Sequence, residues 1–248
     1  MAARWRILIA MGVLVTLLDQ WTKFLAVRHL TPGIAQAHFE AQGLDRPSLE
    51  ERRQTLESLG TWDSLRYFYG TVKEPCRAPQ AYCPTVRVID GFWSFRYVEN
   101  PGAAWGLLAG ASKEVRVPFF YLISFGALIF ILWYFRRLGE QQKLLIWSLS
   151  LVFGGAIGNF IDRLHLSYVV DFIDWYIGDK HWPTFNIADS AITIGVGLLI
   201  VDMFVNKEPA KNAAESKGAE KSAEKSAEKS AEKSAEKSAE KAAEARDG

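Results

Sequence analysis

Four long apolar stretches dominate the pattern of hydrophobic and polar positions. Each approaches the roughly 20 residues that a helix needs to cross a hydrocarbon core of about 30 Å. The first runs from Ile7 to about Val27 and is interrupted by Asp19 and Lys23. The second, Pro118 to Phe135, carries no charge. The third is Leu144 to Phe160, and the fourth is Ile187 to Val205, with Asp189 near its start and Asp202 near its end. The first stretch reads as a retained helix rather than a cleavable leader. Asp19, Gln20, Trp21 and Lys23 stand where the small residues of a cleavage site would fall. The pattern predicts an α-helical integral membrane protein with four transmembrane helices.

Between the first two spans the pattern changes twice. Residues 33–66 are polar and helix-friendly. Residues 85–98, TVRVIDGFWSFRYV, are β-branched and aromatic around Asp90-Gly91, which predicts two strands and a turn. Phe92, Trp93, Phe95 and Tyr97 suit a membrane interface, so a small sheet is expected on the membrane surface. At the other end, Ser-Ala-Glu-Lys repeats from Ser222 through Lys241. That period places Glu over Glu and Lys over Lys at i,i+4, with almost no large apolar residue to build a core. The expected organisation is a membrane domain over 1–206, including an insert and sheet over 33–98, and a disordered cytoplasmic tail over 207–248.

Charge refines the picture. A net charge of +1 over 248 residues gives no sign of nucleic-acid binding. Arg4 and Arg6 precede span one, Arg136, Arg137 and Lys143 crowd the loop between spans two and three, and Lys207 and Lys211 follow span four. The loop between spans three and four is longer, yet carries only Arg163 and Lys180. Both termini are therefore expected in the cytoplasm, and the segment from about Arg28 to Val117 outside. Cys76 and Cys83 then lie in an oxidising compartment, either bonded to each other or as two thiols.

With that topology, the polar residues of the spans fall at one membrane face. Span one ends with Asp19, Gln20, Thr22 and Lys23, and Asn100 to Ala104 shortly precedes span two. Span three ends with Asn159, Asp162 and Arg163, and span four begins at Asn186 to Asp189. Asp171 lies between, inside the apolar run Val169 to Ile173. Plainer roles exist for most of them. Asp19 and Lys23, at i,i+4, suit a structural ion pair. Asp162 and Arg163 suit the end of span three, and Asp189 suits the first turn of span four. Asp171 is harder to dismiss, because a buried acid needs a partner. Gly154, Gly155 and Gly158 suit close helix packing. Asp174, Asp179, Asp202 and the four histidines read as interface or loop residues.

Two carboxylates close together cannot both ionise comfortably, so one keeps its proton. The ionised one can deprotonate a water that attacks a peptide carbonyl, while the protonated one stabilises the developing oxyanion and then assists the leaving amine. Ser190 follows Asp189, but no histidine sits at a spacing that suggests a serine triad. A metal site from Asp162, His165, Asp171 and His181 lacks recognised ligand spacing, so no metal or cofactor is expected. A transporter component is the alternative. It would spread polar residues along the depth of several helices, whereas these spans are clean except at their outer ends and at Asp202.

Five segments in order resemble the lipoprotein signal peptidase (signal peptidase II) family. They are Asp19-Gln20-Trp21-Thr22-Lys23, Asn100-Pro101-Gly102-Ala103-Ala104-Trp105-Gly106, Gly154 through Arg163, Val169-Val170-Asp171-Phe172, and Phe185 through Ser190. The resemblance covers about residues 7–205, apart from much of 33–90. It implies four transmembrane helices, an extracytoplasmic β-cradle and an aspartic peptidase without metal. It further implies Asp171 and Asp189 as the catalytic pair, with Asp19, Lys23, Asn100, Asn159, Asp162, Arg163 and Asn186 supporting them or binding substrate. The implied substrate is a prolipoprotein carrying diacylglyceryl-cysteine, cut just before that cysteine at the outer face of the bacterial inner membrane. The expected partners are this substrate and membrane lipid, and the expected state is a monomer. The long insert with its two cysteines and the repeat tail depart from the family pattern.

Overall fold

The structure, a computed structural model, describes residues 2–45, 47–72, 75–76, 83–102 and 112–206. Along the chain come α1 (Ala3–Leu30), three short helices α2 (Gly33–Ala41), α3 (Leu49–Ser58) and α4 (Thr61–Gly70), and strands β1 (Val86–Ile89) and β2 (Trp93–Asn100). They are followed by α5 (Lys113–Phe135), α6 (Lys143–Leu166), β3 (Val169–Ile177), β4 (Lys180–His181) and α7 (Ile187–Val205). The expected tail and the motif residues Ala103 to Gly106 lie outside the described residues.

Helices α1, α5, α6 and α7 are long and apolar enough to cross a membrane, and the chain is a multi-pass membrane protein. Leu122, Ile123, Phe130 and Ile194 are exposed, as lipid-facing side chains should be. The helices outrun the apolar stretches because polar residues continue the same turns. Thus α5 starts at Lys113, which puts Pro118 inside the helix rather than at its start. Helix α6 runs on to Leu166, so Asp162 and Arg163 sit within it, and it ends at Ser167 with φ of 67°.

Helices α1 and α6 run side by side in the same direction. Gly12 lies against Phe153, Val15 against Gly154 and Asp19 against Gly158. Helix α7 runs antiparallel to α6, with Gly155 against Ala188 and Ile192, and Gly195 against Ser148 and Val152. At one end of the bundle Leu8, Ile131, Phe135, Leu138, Ile146 and Leu149 form a core. There the Arg4 backbone N–H donates to Glu140 at 3.2 Å, so the N-terminus and the α5–α6 loop share this end.

At the opposite end, a second core joins α1 to the sheet and the insert through Phe24, Val27, Ile34, Phe68, Val170 and Phe172, among others. The sheet order is β1-β2-β3-β4, every pair antiparallel. The strands expected around Asp90-Gly91 are β1 and β2, and Gly91 adopts φ of 78° at the turn. The sequence pattern did not reveal β3, because its run Val169 to Ile173 is buried on both faces and shows no alternation. Cys76 and Cys83 form a disulfide.

Close approach of α7 to α6 depends on Gly155. A Cβ there would overlap the Ala188 carbonyl and come within 2.8 Å of Ile192 Cγ1. Backbone cannot yield as a flexible side chain does, so we expect Gly155→Ala to cost about 1–3 kcal/mol. A lowered unfolding midpoint in detergent, with the Gly126→Ala variant unaffected because Gly126 has no such neighbour, is the measurement that checks this.

Candidate active site

The site is built from the inside outwards. Lys23 is fully buried on α1, and an ammonium has three protons to place. It contacts Asp19 at 2.8 Å and Asp162 at 2.9 Å, and donates to Asn159 Oδ1 at 3.0 Å. Each carboxylate is then completed by its surroundings. Asp19 accepts the Ala188 backbone N–H at 2.9 Å, which fixes the first turn of α7. Asp162 accepts the Val170 N–H at 3.0 Å, which fixes the start of β3. Gln20 Nε2 donates to Asp162 at 2.8 Å and reaches Asp19 at 3.3 Å. The i,i+4 ion pair is therefore real, but it is one side of a larger cluster. Asp162 does not cap α6; it turns inwards to Lys23.

The next layer is amide side chains. Asn159 Nδ2 donates to Asp189 Oδ1 at 2.8 Å. Asn186 immediately precedes α7, and its Oδ1 accepts the Asp189 N–H at 2.9 Å while Asp189 Oδ2 accepts the Asn186 N–H at 3.3 Å. This reciprocal pair is a capping box, so Asp189 is indeed a first-turn acid. Asn186 Nδ2 also donates to Asp171 Oδ1 at 2.7 Å and lies 3.2 Å from Asn159 Oδ1. One residue thus brackets both Asp171 and Asp189.

Asp171 is placed by the sheet. Between the pairs Phe95–Ile173 and Val98–Asp171, β2 advances three residues and β3 two, so β2 carries a bulge. Beyond it Val98 faces Asp171, and Asn100 is the diagonal neighbour on the same face. Asn100 Nδ2 donates to Asp171 Oδ2 at 2.9 Å, and its Oδ1 accepts the Gly102 N–H at 3.0 Å. On the other edge of β3, Phe172 and Ile173 exchange backbone hydrogen bonds with Phe185. That holds Asn186 beside Asp171. Burial pushes the Asp171 carboxyl up to about 8, and the charge of Asp189 pushes the same way. The Asn100 amide, the Lys23 charge and the Asn186 amide pull against them.

Asp171 and Asp189 line one cavity of about 1050 Å³, together with Asn100, Arg96 and Arg163. Arg163 donates to the Asn159 carbonyl at 3.1 Å, and its Nε has no hydrogen-bond partner among the described residues. The structure therefore brings together all nine residues singled out in the sequence. It does not assemble the metal alternative. Asp162 belongs to Lys23, His165 bonds the Phe68 carbonyl at 3.0 Å and His181 pairs with Asp174 at 2.9 Å.

Asp174 corrects the sequence reading. It is no surface or loop residue but is buried on β3, where it accepts from Ser94 at 3.0 Å, Arg96 at 3.2 Å and His181. Arg96 continues to Thr184 at 3.1 Å, so this group ties β2, β3 and the segment before Asn186 together. Asp202, likewise read as an interface residue, is buried within α7. Gln20 was visible within its motif but had no role. Its position between two carboxylates needed the α1–α6 register to be seen.

A sequence model of the family described as signal peptidase (SPase) II matches residues 71–205. The chain is 40% identical over 216 residues to the lipoprotein signal peptidase of Anaeromyxobacter sp. (strain Fw109-5), covering 86% of this chain and 92% of that protein. It is 50% identical over 119 residues to that of Geobacter sulfurreducens, covering 48% of this chain and 73% of the relative. Among solved structures, it is similar to a bacterial membrane enzyme determined at 1.9 Å, with a TM-score of 0.53 and 28% identity over 81% of this chain and 94% of that one.

The buried cluster yields a direct test. Lys23→Met removes the cation and leaves two buried carboxylates facing each other. Losing one partner of a buried ion pair costs about 3–5 kcal/mol. We expect a matching loss of stability in detergent, read from the thermal unfolding midpoint, and a smaller loss for the surface variant Arg53→Met, whose partners Glu50 and Glu57 are exposed.

Proposed function

Since the chain belongs to the signal peptidase II family, we propose that it removes the signal peptide from prolipoproteins with Asp171 and Asp189 as its catalytic pair. The observation that carries this is the bracket formed by Asn186, which hydrogen-bonds both carboxylates on the wall of one cavity. Their environments differ in the way the chemistry requires. Asp171 is almost completely buried in a strand, where burial favours its neutral form. Asp189 sits at the N-terminus of α7 and accepts two N–H donors there, which orient its carboxylate on the cavity wall.

The roles follow. Asp189 takes a proton from a water, and the resulting hydroxide bonds to the carbon of the scissile carbonyl. Asp171 gives its proton to the carbonyl oxygen as charge develops there. When the tetrahedral intermediate collapses, the C–N bond breaks, the proton held by Asp189 passes to the leaving amine, and a hydroxyl of the diol returns a proton to Asp171. Asn159 and Asn100 hold the two acids in place, and Arg163 lines the cavity beside them, where its guanidinium can meet the substrate's carbonyls.

The substrate we propose is a prolipoprotein carrying diacylglyceryl-cysteine, cut just before that cysteine. Two acyl chains anchor stably, at about 0.8 kcal/mol per buried methylene, and hold the adjoining peptide at the membrane surface. The protein in this reading is an inner-membrane monomer, and the distribution of Lys and Arg supports cytoplasmic termini with the site on the outer side. The concentration of polar residues at one end of the bundle favours this reading over a transporter.

Gel-shift cleavage of a purified prolipoprotein tests it. The wild type should cut the lipidated form and leave the unlipidated form nearly intact, and Asp171→Asn and Asp189→Asn should each abolish cleavage without unfolding the protein. Equal turnover of the two substrates, or substantial activity in either variant, would refute it. The pH profile adds an independent check. Asp171 must be protonated to act as the acid, so it is competent below its pKa. We expect kcat to fall as pH rises through about 8, a decline that a single-turnover pH series would reveal.

A further inference from the structure

The insert between α1 and β1 is not an independent appendage. On α1, Ile9, Val13, Leu17 and Trp21 form an exposed stripe at i,i+4 spacing. Phe24, Leu25 and Arg28 continue that face, but there it is covered. Phe68 of α4 packs on Phe24 with ring centroids 5.9 Å apart. Arg28 donates to Ser64 Oγ and to the Leu56 and Leu59 carbonyls at 2.7 and 3.1 Å. Pairing Ser64 with Arg28 and Phe68 with Phe24 means that α4 runs down α1 towards the polar cluster.

Tyr69 is where it arrives. Its hydroxyl donates to Gln20 Oε1 at 3.0 Å, and its ring lies against His165 of α6 at 5.6 Å. Burial, then the charges of Asp162 and Asp19, push this phenol up, so it remains a donor. The other end of the Gln20 amide faces acceptors, namely Asp162, Asp19 and the Gly158 carbonyl at 3.2 Å. From there the hydrogen bonds run without a break through Lys23 and Asn159 to Asp189.

We propose that Tyr69 of the insert is a positioning residue for the proteolytic reaction. It holds Gln20 with its carbonyl outwards and its NH₂ on the carboxylates around Lys23, and through Lys23 and Asn159 it holds Asp189 in register. The role rests on the peptidase reading above. Without the hydroxyl, Gln20 Oε1 has no donor among the described residues. The side chain then swings towards one, its NH₂ leaves Asp19 and Asp162, and Lys23 shifts with them. The insert thereby becomes part of the site, on the flank of the bundle away from the substrate cavity.

The test uses the full chain in detergent with a lipidated prolipoprotein. Tyr69→Phe removes one hydroxyl. Tyr67→Phe removes the neighbouring one, which among the described residues bonds His38 on the insert itself. Loss of one neutral hydrogen bond in the relay should lower kcat about fivefold, with KM unchanged and the unfolding midpoint lowered only slightly, while Tyr67→Phe keeps wild-type kcat. In a Gln20→Met background, Tyr69→Phe should cause no further loss, because the residue it acts through is gone. Wild-type kcat in Tyr69→Phe, or an equal fall in both tyrosine variants or in both backgrounds, would overturn the proposal. Wild-type protein that leaves the lipidated substrate uncut would instead overturn the activity itself, and this role with it.

Discussion

The Lys23 ammonium between Asp19 and Asp162 is the contact on which the rest of the site depends. Three charges in a bundle of apolar helices are expensive unless every lone pair and proton is matched. Here they are matched from four directions: α1 supplies Asp19, Gln20 and Lys23, α6 supplies Asn159 and Asp162, and the backbones of Val170 and Ala188 supply the remaining donors. That accounting forces α1 and α6 into one register. It also pins the chain ends from which β3 and α7 begin, and those two elements carry Asp171 and Asp189.

A site made this way is rigid before substrate arrives. Asp189 is held by a helix capping box and by Asn159, and Asp171 by Asn100 across a bulged strand pair and by Asn186 before α7. Apart from the Asn186 N–H to Asp189 contact at 3.3 Å, these bonds are 2.7–2.9 Å long without a ligand. Preorganised donors and acceptors of this kind cost no reorganisation during the reaction. The cavity beside them is open to a peptide, while the charged cluster behind them is sealed by α1, α6 and, on the outer flank, the insert helix α4.

Asp174 shows a second use of a buried carboxylate in the same sheet. Three residues from Asp171, it makes structural contacts to Ser94, Arg96 and His181 and brings the 181–185 segment against β3. Two acids on one strand therefore differ because of what surrounds them. Asp174 is matched by a cation, whereas Asp171 is matched by neutral amides and faces another acid.

The sequence by itself determined the four spans, since apolar length is a local property that a bilayer reads directly. It also determined the common end at which the polar residues meet, because an alternating path through a membrane fixes which helix ends share a face. The five motifs singled out Asp171, Asp189 and their seven supporting residues. The sequence could not reveal β3, whose doubly buried run lacks a strand's alternation, or Asp174, whose partners lie on β2 and β4. Nor could it show what Gln20 and Tyr69 do. They are 49 residues apart, on helices whose contact is set by Phe68 on Phe24 and by the Arg28 clamp. Hydrogen bonds between such distant positions depend on how whole helices pack, and only the tertiary structure decided that.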